Sequence, residues 1–232
     1  MNEPLGTRGS SARDIVYAGL REQILSLELP PGTALSEKDS AAAFGVSRTP
    51  VREAFLRLAQ EQLVQVLPQR GTFVSLIDPE LVEEARFMRE QLERAVIRLA
   101  CAGFPPLSLS ALRDNLAAQQ DAMTRLDDRK LFELDEAFHR TLFQGCGKLN
   151  TWSVIQQMNL HLNRARLLRL ATDPHWSHLY EQHAAMAEAI ADGREEAADD
   201  LMRQHLRLGI ADQELLKKEY PHYFKPEKEN AQ

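Results

Sequence analysis

The chain has 232 residues, 44% of them hydrophobic and 27% charged, with a formal net charge of −6 at pH 7. That length fits one small and one medium domain, and the composition is that of an ordinary globular protein. No apolar run approaches the roughly 18 residues of a membrane span, and the acidic total argues against nonspecific nucleic-acid binding.

The charge is uneven. Residues 1–76 carry eight bases and eight acids, so the remainder holds the whole −6 with 20 bases and 26 acids. Two parts with different charge suggest two jobs. The N-terminus, MNEPLGTRGSSARD, lacks the apolar core of a secretory signal, and residues 1–10 read as a disordered tail. Cys101 and Cys146 form no CxxC pair and read as reduced, partly buried thiols of a cytoplasmic protein.

From Ala12 to Leu27, Ile15, Val16, Leu20, Ile24 and Leu27 mark one helical face, and LPPG stops that helix. Ser36 N-caps a second helix with Asp39 in its first turn, and Gly45 ends it. Ser47 or Thr49 opens a third, with Pro50 in its first turn and Val51, Phe55 and Leu58 as its buried stripe. Residues 63–77, LVQVLPQRGTFVSLI, read as a two-stranded hairpin turning at Pro68-Gln69-Arg70-Gly71. Three helices and a hairpin make a winged helix-turn-helix over residues 11–77.

Asp78-Pro79 marks a boundary, with residues 78–80 as linker. Six helical segments are expected beyond it, near 80–102, 109–127, 130–145, 149–171, 174–192 and 194–219. Short breaks between amphipathic helices imply an antiparallel bundle over 81–219. Residues 220–232 form a polar tail. The fold class is therefore mainly α: a winged helix-turn-helix followed by an all-helical bundle.

A recognition helix needs polar residues at its start and an apolar face toward its domain. GVSRTPVREAFLRL (45–58) supplies both. Arg48 and Arg52 are four apart and share a face, suited to guanine edges or phosphates. Ser47 and Thr49 are placed for phosphates, Arg70 at the wing tip for a minor groove, and Gly71 for close backbone approach. Two arginines on one exposed face are ordinarily just solvated; the order of helices and wing raises the case for DNA.

The stretch PPGTALSEKDSAAAFGVSRTPVREAFLRLAQEQLVQVLPQRGTFV resembles the DNA-binding domain of the GntR family of bacterial transcription regulators, most specifically in VSRTPVREA. The resemblance implies DNA contacts from Lys38, Ser47, Arg48, Thr49, Arg52 and Gly71. Ser40 stands where that family has Leu, and Gln62 where it has Gly, which alters the turn into the wing.

In the second part, LDEAFHRTLF (134–143) sets Asp135 and His139 one turn apart beside the apolar residues Leu134, Phe138 and Leu142. An isolated acid–His pair of this kind is ordinarily a helix-surface interaction. His183 shares its helix face with Met186 and Ile190, and His205 shares one with Ala198, Leu201 and Leu208, so both point inward. One acid and three histidines on inner faces can converge in a bundle core. Such a mixed nitrogen and oxygen set suits a divalent ion, zinc first, with nickel or manganese as alternatives. His161 reads as a core or pocket residue packed by Val154, Met158 and Leu168; His175, His178 and His222 read as exposed or in the tail.

FMREQLERAVIRLA (87–100), DEAFHRTLF and EQHAAMAEAIADGREEAADDLMRQHL (181–206) resemble the FadR-type effector domain, the FCD domain. The resemblance, to the metal-binding branch, implies Asp135, His139, His183 and His205 as ligands. It also makes Arg89 a candidate anchor for a small carboxylate effector, with Arg164, Arg166 and Asn150 as further candidates. Arg164 and Arg166 are expected to face solvent, as bases on long helices usually do.

These features together predict a homodimeric repressor that binds double-stranded operator DNA, responds to a carboxylate and is not an enzyme. Two alternatives stand beside it: a metal-free regulator that binds an organic acid directly, and a metalloenzyme fused to a DNA-binding domain. No HExxH or nucleophile motif supports the last.

Overall fold

The computed structural model describes residues 11–172, 176–208 and 213–226, apart from the side chains of 171, 172, 176 and 208. The disorder expected of residues 1–10, the exposure of His175 and the end of the tail fall outside these residues. The chain forms two units: one of residues up to Leu76 together with the segment from His222, the other of Ile77–Pro221.

In the first unit, α1 (Ala12–Leu25) is capped by Ser11 and buries Val16, Leu20 and Ile24 against α3 (Arg48–Gln60). Between them lie β1 (Ala34–Leu35) and α2 (Glu37–Phe44). Ser36 Oγ accepts the Asp39 backbone N–H at 3.2 Å, and Gly45 ends α2 at φ 65°, a left-handed turn that glycine adopts without a Cβ clash. Val51, Ala54, Phe55 and Leu58 of α3 are buried at spacings of three and four. The wing, β2 (Val64–Leu67) and β3 (Gly71–Val74), pairs Val64 with Val74 and Leu67 with Gly71. The expected hairpin gains a third strand, because β1 pairs with β3 through Ala34 and Phe73, giving the order β1-β3-β2. Two residues are too short to leave a period-2 pattern, so β1 left no signal in the sequence.

Gln62 sits at φ 59° between α3 and the wing. A side chain there is strained by roughly 1 kcal/mol. Gln62→Gly is therefore expected to raise stability by about 0.5–1 kcal/mol, read as an upward shift of the urea midpoint.

The second unit opens with α4 (Pro79–Ala102). Asp78 caps it by accepting the Glu80 N–H, and Pro79 takes the first helical position, where no bond is lost. Then follow α5 (Pro106–Arg125), α6 (Asp128–Gly145), α7 (Leu149–Met158), α8 (Leu160–Thr172), α9 (Trp176–Ala191), α10 (Glu195–Leu208) and α11 (Gln213–Glu219). Pro106 starts α5 one turn earlier than expected, for the same reason as Pro79.

The predicted helix 149–171 is two helices, broken at Asn159. The break changes the phase of the apolar positions. Val154 and Met158, expected to pack on His161, are instead exposed at 51% and 43%, while Leu168 is buried. Of the predicted helix 194–219, the described residues form α10 and α11, and residues 209–212 between them lie outside the described residues.

The core of this unit gathers Val96 and Ile97 of α4, Leu112 of α5, Phe138 and Leu142 of α6, Trp152 of α7, Met186 and Ile190 of α9, and Met202 of α10. Cys101 and Cys146 are free and half-buried at its edge. The tail segment from His222 belongs with the first unit, where Phe224 is buried. Among the described residues, no helix is long and apolar enough to cross a membrane.

Candidate functional site

Two groups of side chains, one in each unit, answer to the sequence reading. In the first, Ser47, Arg48, Thr49 and Arg52 are exposed along the start of α3, and Lys38 is exposed on α2. Ser47 stands at the N-cap but makes no side-chain capping bond. Arg70 and Gly71 are exposed at the wing tip, with Gly71 at φ 110°.

Sequence reasoning missed one partner. Glu37 accepts both Arg52 Nε and Nη2 at 2.9 Å. This fork holds the Arg52 guanidinium, with its side chain still 68% exposed, in a defined orientation at the surface.

In the second unit, Asp135 and His139 of α6, His183 of α9 and His205 of α10 converge. All four are buried, at 1%, 0%, 1% and 5% exposure. His205 Nε2 lies 3.1 Å from His139 Nε2 and 3.3 Å from His183 Nε2. Asp135 Oδ1 lies 3.6 Å from His183 Nε2, 3.6 Å from His205 Nε2 and 3.8 Å from His139 Nε2, and makes no hydrogen bond. Donors about 2.0–2.2 Å from one shared divalent ion stand roughly 3–3.6 Å from each other. These five separations fall close to that range, and all four donor atoms lie within 4.8 Å of one another.

The other ring nitrogens explain why this is a donor set. His183 Nδ1 is 3.1 Å from Gln119 Oε1, and His205 Nδ1 is 3.1 Å from Gln182 Oε1. An amide oxygen only accepts, so each Nδ1 carries the proton and each Nε2 presents a lone pair. Gln119 is itself oriented, because its Nε2 donates to Asn115 Oδ1 at 2.6 Å and Asn115 donates to the Leu134 carbonyl at 3.0 Å. His139 Nδ1 lies 2.5 Å from Glu93 Oε2, a close contact without good hydrogen-bond alignment. Phe138 stacks on the His183 ring with centroids 4.2 Å apart and fixes its plane. Lone pairs and a carboxylate oxygen aimed at one buried point repel each other unless a cation stands between them. The residues present therefore fit a divalent ion.

Burial raises the Asp135 carboxyl, but Arg166 together with His205, His139 and His183 outweighs it and holds the group well below the usual carboxylate range. Burial also opposes the charge on Glu93, yet Arg89 and His139 bring it down to about 2. Burial, and then the charge of His205, push His183 well below 6.5; burial lowers His205 as well. Both imidazoles are thus neutral, as ligation requires. The unfolded chain takes up their protons first, so stability is full above pH 6.5 and falls as pH drops below it. The slope from these two groups reaches at most about 1.4 kcal/mol per pH unit for each imidazole. Urea midpoints of metal-free protein between pH 7.5 and 5.5 are expected to fall accordingly.

The arginines correct an expectation. Arg164 is fully buried, bonds His161 Nδ1 at 3.0 Å and is pulled by burial down to about 10. Arg166 ion-pairs with both Asp135 and Glu136. Neither faces solvent, because α8 packs against α4 and α6. Arg89 is buried between Glu93 and Glu136, with its Nη2 lacking a hydrogen-bond partner. Asn150 does not join this set: it is exposed in the first turn of α7, and the N-cap there is Lys148. His161, as expected, stays outside the cluster; its Nδ1 accepts the Asp78 N–H at 3.0 Å. His178 and His222 are exposed. Glu93, Asn115, Gln119 and Gln182, which orient the histidines, carry no periodic signal beyond lying on the inward faces of their helices.

Fold and site together define a winged-helix DNA-binding protein with a second, all-helical domain. Residues 12–74 match the model of bacterial regulatory proteins of the gntR family, and residues 84–208 match the FCD domain. The chain belongs to the GntR family of transcription regulators, in the FadR-type group that carries an FCD domain, and is a DNA-binding regulator rather than an enzyme.

It is 41% identical to an HTH-type transcriptional regulator in an unstable DNA locus of Streptomyces ambofaciens, over 94% of this chain and 92% of the relative. It is 34% identical to the HTH-type transcriptional repressor RspR of Escherichia coli K12, over 83% and 84% respectively. Among solved structures, E. coli McbR/YncC shares the fold with a TM-score of 0.75 at 23% identity, over 91% of this chain and 100% of that one.

Proposed function

We propose that this regulator is a homodimeric repressor whose FCD domain holds one divalent ion, zinc foremost, and uses it to bind a small carboxylate. The observation that carries this reading is the convergence of three imidazole Nε2 atoms and Asp135 Oδ1 on one buried point, with the Nδ1 atoms of His183 and His205 turned to amide oxygens. When bound, the ion supplies a positive centre able to attract an anionic oxygen ligand. Arg89 Nη2, buried and without a partner, supplies a donor for the same carboxylate. Arg166 positions Asp135 and is not spare for the effector.

On the DNA side, Arg48 and Arg52 read base edges or clamp phosphates. Ser47, Thr49 and Lys38 position the helix on the backbone, and Arg70 with Gly71 places the wing in a minor groove. Effector binding shifts the population between states of different operator affinity. The repressor reading follows the printed name of RspR.

The test is elemental mass spectrometry on untagged protein, followed by operator binding with and without candidate hydroxy acids and sugar acids. About one equivalent of metal per chain, and carboxylate-dependent release of DNA from the loaded protein alone, is the expected result. Carboxylate-dependent release from metal-free protein would favour direct binding by Arg89. Turnover of the carboxylate would overturn the reading.

A further inference from the structure

The outward stripe of α4 is open and symmetric. Glu84, Phe87, Gln91, Ala95 and Arg98 recur at spacings of three and four, so they share one face. That face is turned away from the core. Glu84 and Gln91 are exposed, Phe87 is 61% exposed, Ala95 is half-buried and the Arg98 side chain is 40% exposed. A phenylalanine so open, in the middle of a long helix, is not explained by the packing of this chain.

The stripe is symmetric about Gln91. Phe87 and Ala95 lie four positions on either side, and Glu84 and Arg98 lie seven. Turn a second α4 antiparallel to the first about an axis through Gln91. Each Phe87 then meets the small Ala95 of the other chain, and each Glu84 meets the other chain's Arg98. Large faces small and acid faces base, twice, as an isologous two-fold contact requires. Asp199 already engages Arg98 through Nη1 at 2.7 Å, which steadies its side chain without covering it.

One helix stripe covers too little area for a stable dimer, which needs about 800 Å² per partner. A second exposed apolar surface lies on a helix packed against α4. Helix α7 packs beside α4, and from Leu149 to Leu160 the chain carries no charged residue. Leu149, Val154 and Met158 are exposed there at 38%, 51% and 43%. Identical charges meet at a two-fold axis, so an uncharged apolar flank is what such an interface tolerates.

We infer that α4 and α7 form the homodimer interface, with the α4 helices antiparallel across a two-fold axis at Gln91. This rests on the homodimer reading above but can fail separately from it. The test takes the full chain through sedimentation equilibrium as wild type and as Phe87→Glu, with oxidative cross-linking of Gln91→Cys beside a control, Gln120→Cys. The expected results are a wild-type dimer, a Phe87→Glu variant weakened by roughly 100-fold or more because the change enters the interface twice, and a covalent dimer from Gln91→Cys but not from Gln120→Cys. The melting curve of Phe87→Glu at dilutions where the wild type is monomeric checks that it folds. A wild-type dimer that survives Phe87→Glu, or that leaves Gln91→Cys uncrosslinked, overturns this interface while the homodimer stands. A wild-type monomer overturns both.

Discussion

His183→Ala is expected to weaken divalent-ion binding by about three orders of magnitude, beyond the loss of an orienting partner, while leaving the bundle folded. The imidazole supplies one of four donors, and its Nε2 is held in place by Gln119 on one side and Phe138 on the other. Loss of an orienting partner costs a metal site about 10–100-fold in affinity. Loss of the ligand itself is expected to cost more, on the order of 1000-fold. The folded state without metal loses little by the change, because the variant also removes one of three mutually repelling lone pairs. Melting with and without zinc separates the two effects. At zinc concentrations near a thousandfold above the wild-type dissociation constant, the wild type gains about 4 kcal/mol, and the variant, binding about 1000-fold more weakly, gains only about 0.4 kcal/mol. A full equivalent of metal on His183→Ala would mean that the four residues are not the ligand set.

Arg166→Met is expected to destabilise the metal-free protein by about 3–5 kcal/mol, and the zinc-loaded protein much less. Arg166 ion-pairs with the buried Asp135 and with Glu136. Methionine keeps much of the volume but strands the Asp135 carboxylate without a countercharge, and a stranded buried charge carries that order of penalty. A bound divalent ion would neutralise Asp135 in place of the guanidinium. Urea unfolding in chelator and in zinc measures both costs. Equal penalties in the two conditions would show that Asp135 faces no ion.

The inward placing of Asp135, His139, His183 and His205 was legible in the sequence because helices repeat. Asp135 and His139 are one turn apart on a face shared with Phe138 and Leu142, and His183 and His205 fall in register with Met186, Ile190 and Ala198. An inward-facing titratable residue on an amphipathic helix declares its burial through its neighbours. The recognition helix was legible for the same reason, with Val51, Phe55 and Leu58 buried and Arg48 and Arg52 on the other side. Local chemistry also carried the boundaries: Ser36 and Gly45 around α2, and Asp78-Pro79 at the start of α4.

What the sequence could not show depends on partners far apart along the chain. The break at Asn159 is one case, since LNTWSVIQQMNLHLNRARLL keeps a helical composition throughout and no Pro or Gly marks the stop. Arg164 and Arg166 are another. A base on a helix is exposed or buried according to which helices lie against it, and here α4 and α6 cover α8. The pairing of Arg52 with Glu37 spans two helices.

By itself, then, the sequence determined the buried stripes of α3, α6 and α9 and the inward positions of Asp135, His139, His183 and His205, because periodicity and capping act over a few residues. Only the tertiary structure decided that those donors meet within 4.8 Å, that Gln119 and Gln182 turn the Nε2 atoms of His183 and His205 toward one point, and that Arg166 serves Asp135 instead of solvent. Those outcomes depend on how α4, α5, α6, α8, α9 and α10 pack together, and packing between helices is not written in the period of any one of them.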